Sequence, residues 1–197
     1  MNDEATHGRL PWWRPEDLND EQKTYYDDLI AGPRGLSVVD PEGRLVGAFN
    51  SRLLDPEIGS AVQRLGASLR FGTALSAAER ELVILEVAAA ERCNYEWGAH
   101  SPLAESAGLT PQALTAIMRG DESADLFPGD LTAVRAVARR LLQDRDLDDA
   151  AFASAAEALG YRRLFAIVSL VGHYRHTAMS LQVWRVPLDP GMTAVFD

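Results

Sequence analysis

Cysteine is almost absent from this sequence. Among 197 residues there is one, Cys93, so no disulfide can form within the chain. That suits a reducing compartment, and a cytoplasmic setting is expected. Long apolar runs are missing too. The longest, Leu164 to Gly172, is about half of the roughly 20 residues a helix needs to cross a bilayer. The opening stretch, MNDEATHGRLPWW, is polar and acidic and holds no apolar h-region, so no signal peptide is expected. Basic residues are in deficit: 19 Lys and Arg face 29 Asp and Glu, for a net charge of −10. An acidic surface repels phosphate backbones and anionic headgroups, so neither nucleic acid nor membrane is an expected partner. Convincing strand alternation is lacking, as are low-complexity tracts and internal repeats.

What the sequence has is apolar bulk in helical register. Hydrophobic residues make up 47% of it, enough for a sizeable core, and the expected fold class is all-α. Residues 1–50 are dense in turn signals (Pro11, Pro15, Gly32-Pro33, Gly35, Pro41, Gly43 and Gly47). Only Asp17 to Ile30 reads as a helix there. The expectation is an irregular N-terminal arm over 1–50, anchored by Trp12 and Trp13 on a helical domain over 51–197.

In that domain, Asp55-Pro56 opens a helix to about Phe71 with Ile58, Val62, Leu65 and Leu69 on one face. Ser76-Ala-Ala-Glu79 is a capping box for an apolar helix to about Ala90. Asn94 can cap the next, which runs to about Ala107 and stops at Gly108. Further helices are expected over Pro111–Met118, Leu131–Gln143, Asp146–Leu159 and Arg162–Trp184, with an extended tail after Val186.

The residues with chemistry to offer gather at Glu81, Cys93, Glu96 and His100. Glu96 and His100 are four apart and share a helix face. Such a pair serves general acid/base catalysis or is an ordinary surface ion pair, and spacing does not separate the two. With Asn94 as cap, Glu96 falls in the first turn. The helix dipole there favours the carboxylate, while burial would raise its pKa. A lone cysteine is commonly a small buried hydrophobe; beside His100, Cys93 could also be a thiolate. Arg34 and Arg70 could grip a carboxylate through a bidentate fork or form salt bridges, and Asn50 could face a pocket or cap a helix.

The strings Glu79-Arg80-Glu81-Leu82 and Asn94-Tyr95-Glu96-Trp97-Gly98-Ala99-His100 resemble the signature helices of the carboxymuconolactone decarboxylase family. So do Gly32-Pro33-Arg34-Gly35, Asp40-Pro41-Glu42-Gly43, Gly47-Ala48-Phe49-Asn50, Leu69-Arg70-Phe71 and Val186-Pro187-Leu188, which together span most of residues 20–190. That family is similar to the alkylhydroperoxidase D-type thiol peroxidases. Those carry a glutamate, then after twelve residues the first cysteine of a CxxC, then a histidine four past the second cysteine. Glu81, Cys93 and His100 stand at the matching positions, but Glu96 replaces the second cysteine. The two-thiol cycle therefore cannot run within the motif.

The resemblance implies an alkylhydroperoxidase D-like helical bundle, no cofactor, no metal, and a homo-oligomer (dimer, trimer or hexamer). It implies a lyase or isomerase on a small organic acid, lactone or enone, with Glu81, Glu96 and His100 catalytic. Arg70, Asn50, Arg34, Cys93, Tyr95, Trp97, His173 and Tyr174 are the expected substrate contacts. His173 stands where relatives usually carry an aromatic residue. Glu96, His100, His173 and His176 include enough donors for a metal site, though nothing in the resemblance calls for one. Other readings are a tailoring cyclase or dehydratase on the same fold, a residual Cys93-based thiol peroxidase, and a non-catalytic binding protein.

Overall fold

Ser76 starts the helix at the centre of the main bundle. In the computed structural model, which describes residues 5–197, a hairpin of β1 (Thr6–His7) and β2 (Leu10–Pro11) precedes eight helices. These are α1 (Asp20–Ala31), α2 (Ala48–Ser51), α3 (Pro56–Phe71), α4 (Ala77–Ala90), α5 (Asn94–Ser106), α6 (Pro111–Arg119), α7 (Asp130–Gln143) and α8 (Asp149–Val183). The Ser76 hydroxyl accepts from the Glu79 amide, and the Glu79 carboxylate accepts from the Ser76 amide at 2.7 Å. Beyond this cap, Leu82, Val83, Ile84 and Leu85 are all fully buried. A helix apolar all round has to be enclosed, and α5, α6, α7 and α8 enclose α4. The all-α reading holds, with the two-residue strands of the hairpin as its exception; strands that short show no alternation in sequence. No helix among the described residues is long and apolar enough to cross a membrane.

Several boundaries differ from those expected. Pro15–Asp17 forms a separate 3₁₀ turn, so α1 begins at Asp20, capped by Asn19. The two helices expected after residue 146 are both present, written together as α8 and meeting at a kink at Gly160. There φ is 72°, a conformation open to glycine and costly for other residues. In α3, only Leu69 of the four expected apolar positions is buried; Ile58 and Leu65 are exposed. The packed side of α3 is made by Gly59 and Gly66 together with Leu69. Close backbone approach has replaced apolar side chains, and periodicity read the wrong face.

The arm has a small core, closed by Leu53 from just beyond it: Tyr25, Tyr26, Leu29, Val38 and Leu45. Trp13 packs against this cluster. Trp12 donates its indole N–H to the Leu45 carbonyl at 2.8 Å. The Trp12 ring stacks on His7 at 4.8 Å and lies under the Arg44 guanidinium at 3.7 Å.

Asn94 does not cap α5. Cys93 holds the cap position, and Asn94 is the first helical residue. Its side chain ties down the C-terminal tail instead. Oδ1 accepts from the amides of Val195 at 2.7 Å and Phe196 at 2.8 Å, and Nδ2 donates to the Phe196 carbonyl at 2.9 Å. Phe196 thereby meets the Trp97 ring edge-on at 5.5 Å. Asn94→Ala is expected to cost about 1–3 kcal/mol, the range for stranded hydrogen-bonding groups. Freed from Phe196, Trp97 should shift its fluorescence emission toward longer wavelength. Unchanged emission and melting would show that the tail is held by other contacts.

Candidate active site

One turn separates Glu96 from His100 on α5, and α4 places Glu81 on the far side of the imidazole. His100 Nδ1 lies 2.6 Å from Glu81 Oε2, and its Nε2 lies 3.4 Å from Glu96 Oε2. The ring is thus held between two carboxyl groups, with all three residues buried. Tyr174 meets the His100 ring edge-on at 5.3 Å, which fixes its plane. Arg80 Nε donates to the second oxygen of Glu81 at 3.2 Å.

The two carboxyls are driven apart in acidity. Burial opposes ionisation of Glu81, but the hydrogen bond and charge of His100, with Arg80 and Arg70, outweigh it and hold the carboxyl below the usual range. At Glu96 burial wins and pushes the pKa up; His100, Arg52, Arg34 and Arg70 oppose it without cancelling it. One carboxylate therefore stays ionised and orients the histidine, while the other favours the protonated acid. Divergent environments of this kind mark acid and base assignments.

Glu96 and His100 line a cavity of about 450 Å³. Arg34, Arg52 and Arg70 line it as well, and none of the three forms an ion pair with a carboxylate among the described residues. Arg52 donates to Gln63 at 3.1 Å, while the Nε of Arg34 is buried without a partner. Phe49 shelves two of these cations, with Arg52 at 4.7 Å and Arg34 at 5.3 Å from its ring centre. Burial and the nearby arginines lower His173 to about 4, so it is a neutral imidazole in the cavity wall. Burial, then the charge of Glu96, raises Tyr174 and keeps its phenol protonated.

Five of the eight expected substrate contacts therefore line the cavity: Arg34, Arg70, Tyr95, His173 and Tyr174. Asn50, Cys93 and Trp97 do not. Asn50 is fully buried and donates to the Pro11 carbonyl at 3.0 Å, pinning the arm. Trp97 belongs to the main core. Cys93 packs with Ala48, Ala178 and Leu181, and burial pushes its thiol up to about 11. His176 is exposed and turns away from the cavity that His173 lines, so the four potential metal donors do not converge.

Arg52, Phe49, Phe71, Asp189 and Met192 are also among the walls. Phe49 and Phe71 stood inside strings that carried the resemblance, but the other three had no signal. Asp189 reaches the site from the tail, where its carboxylate accepts from the Tyr95 hydroxyl at 2.6 Å. That hydroxyl fits because Gly47, at φ 59°, has no side chain: a Cβ there would stand 2.6 Å from it.

Comparisons with known proteins bear on the fold. Of solved structures, an alkylhydroperoxidase D core, an uncharacterized peroxidase-related protein from Ralstonia eutropha JMP134, superposes with a TM-score of 0.73. The match covers 98% of this chain and 100% of that one at 16% identity. An uncharacterized peroxidase-related protein from Silicibacter sp. TM1040 gives 0.70, covering 98% and 97% at 15% identity. The chain thus has the alkylhydroperoxidase D-like helical fold. Residues 56–139 match the carboxymuconolactone decarboxylase family, and over that segment the chain carries this family's pattern. The segment contains Arg70, Glu81, Cys93, Glu96 and His100; Arg34, Arg52, His173 and Asp189 lie outside it. No curated protein sequence matches the chain.

Proposed function

We propose that this protein is a cofactor-free lyase or isomerase moving protons on a small carboxylate-bearing lactone, enone or related acid. The observation that carries this reading is the buried Glu81–His100–Glu96 relay opening onto a cavity walled by Arg34, Arg52 and Arg70, none of them paired with a carboxylate among the described residues. On a chain of net charge −10, that concentration of positive charge selects an anion. In a decarboxylation, the bond to the carboxyl carbon breaks, CO₂ leaves, and the electron pair delocalises into the conjugated carbonyl as a dienolate. The arginines balance that charge. Glu96 delivers its proton to carbon, and His100, held by Glu81, restores it with one taken up from water. Michael-type cyclisation or dehydration would use the same groups.

A thiol peroxidase fits less well, although the structural neighbours are peroxidase-related by name. Cys93 is buried outside the cavity with a raised pKa, and only a thiolate attacks peroxide. The test is a panel of unsaturated lactone and enone acids with their methyl esters, incubated in D₂O and followed by NMR. Deuterium should appear at carbon in the acids and not in the esters. Arg52→Leu should raise KM by about 10–100-fold, the worth of a charged hydrogen bond, and change kcat less. Equal handling of acids and esters would defeat the anion reading. Peroxide consumption that vanishes in Cys93→Ser would put the thiol reading in its place.

A further inference from the structure

We propose that the second half of α8 is a self-complementary docking face on which a second copy packs antiparallel, about a two-fold axis at Gly172. Tyr161 and Phe165 are each 73% exposed and Met179 61%, with Val168 and Val183 close to half exposed. A helix turns about 100° per residue, so these five share an arc of about 80° with Gly172 and His176. The arc carries no Asp, Glu, Lys or Arg along the whole of 161–183. Steps of four, three and four residues give an 11-residue repeat on either side of Gly172, and that repeat keeps a stripe on one face of a nearly straight helix.

The stripe reads the same in both directions. Turned end over end about Gly172, Tyr161 meets Val183 of the other copy, Phe165 meets Met179, Val168 meets His176, and Gly172 meets itself. An isologous dimer requires this: each residue contacts one whose own partner is the first. Nothing stands within 4 Å of where a Gly172 Cβ would lie, so the two backbones can close on one another at the axis. The flanks agree. Arg162 falls opposite Gln182 and Arg175 opposite Ser169, so no like charges are brought together, and Arg175 is already paired with Glu91 at 2.7 Å.

The area is sufficient. Aromatic side chains bury 150–250 Å² each, so two at this exposure offer on the order of 300 Å² per copy. Met179 and the two valines bring the strip to roughly 500 Å², the upper range for a patch left bare on a monomer. With the flanking stems it approaches the roughly 800 Å² per partner of a standard interface. The remaining exposed apolar residues are spread over the segment from Leu36 to Phe71, α5, α6, the first half of α8 and the tail, and show no such symmetry.

Sedimentation and oxidative cross-linking test the face and its register. The wild type should sediment as a dimer or a larger even assembly at micromolar concentration, and Phe165→Glu should lower that mass. Gly172→Cys should cross-link to its own copy under oxidised glutathione; Cys93 is buried and does not compete. Phe165→Cys should not, because antiparallel packing leaves the two copies of residue 165 about 20 Å apart at 1.5 Å per residue. Circular dichroism melting checks that these exposed substitutions leave the fold intact. A monomeric wild type, an unchanged mass for Phe165→Glu, or cross-linking of Phe165→Cys as readily as Gly172→Cys would each overturn the proposal.

Discussion

Glu96→Gln should lower turnover by about 10²–10⁴-fold, the usual contribution of positioned proton transfer, while Cys93→Ser leaves it nearly unchanged. Glutamine keeps the length and hydrogen-bonding reach of the side chain and removes only the titratable proton, so substrate binding should change far less than kcat. The same substitution should alter stability in a direction that depends on pH. Burial raises the folded-state pKa of Glu96 above its unfolded value. Such a group contributes stability that is fully present below the unfolded pKa and is lost as pH rises through the folded one. Glutamine has no such loss, so the variant should melt above the wild type at neutral pH and gain nothing in acid. A variant both slower and more stable is the signature of a carboxyl kept buried for chemistry. Kinetics on any acid from the panel, with melting curves across pH, would check both halves. Turnover abolished by Cys93→Ser and spared by Glu96→Gln would reverse the assignment.

What the sequence disclosed follows from how local each signal is. The Ser76–Glu79 capping box, the Asp55-Pro56 start and the i, i+4 pair of Glu96 and His100 are encoded within a few residues, and all stand in the structure. The likeness to a known family carried Glu81 to the other side of His100, a step that spacing could not take. The failures are those of long-range packing. Nothing near Asn94 shows that its amide would be taken by residues 195 and 196, leaving Cys93 as the cap. The buried side of α3 is made by Leu69 together with glycines, which a hydrophobic pattern does not register. Arg52 and Asp189 enter the cavity only because the turn before α3 and the tail fold back across it. Asn50 and Trp97 were legible as special but not as structural, since a buried polar tie and a pocket contact look alike in one dimension.

Removing Arg135 should be the most damaging single change to stability. Arg135 donates to Glu86 at 2.5 Å and to the Asp121 carbonyl at 2.7 Å, and its guanidinium lies 4.1 Å from the centre of the Phe127 ring. Both partners of the ion pair are buried. Burial raises Glu86; Arg135 and then Arg139 oppose it. Arg135→Met keeps most of the stem volume and strands the carboxylate, with only Arg139 left at 3.8 Å. Breaking a buried pair from one side costs about 3–5 kcal/mol, or roughly 6–20 °C in Tm for a chain of this size. The deficit should be largest at neutral pH and shrink toward acid, because a protonated Glu86 needs no cation. Pairing the change with Glu86→Leu should recover most of the loss, since a well-packed apolar pair replaces a buried ion pair at little cost. Thermal melts of the single and double variants check this, and a double variant no better than the single one would sink it. Glu86 lies on α4 little more than a turn past Glu81, yet it does not line the cavity. Below its melting point Arg135→Met should therefore keep near-normal turnover, in contrast to Glu96→Gln, which keeps its fold and loses its rate.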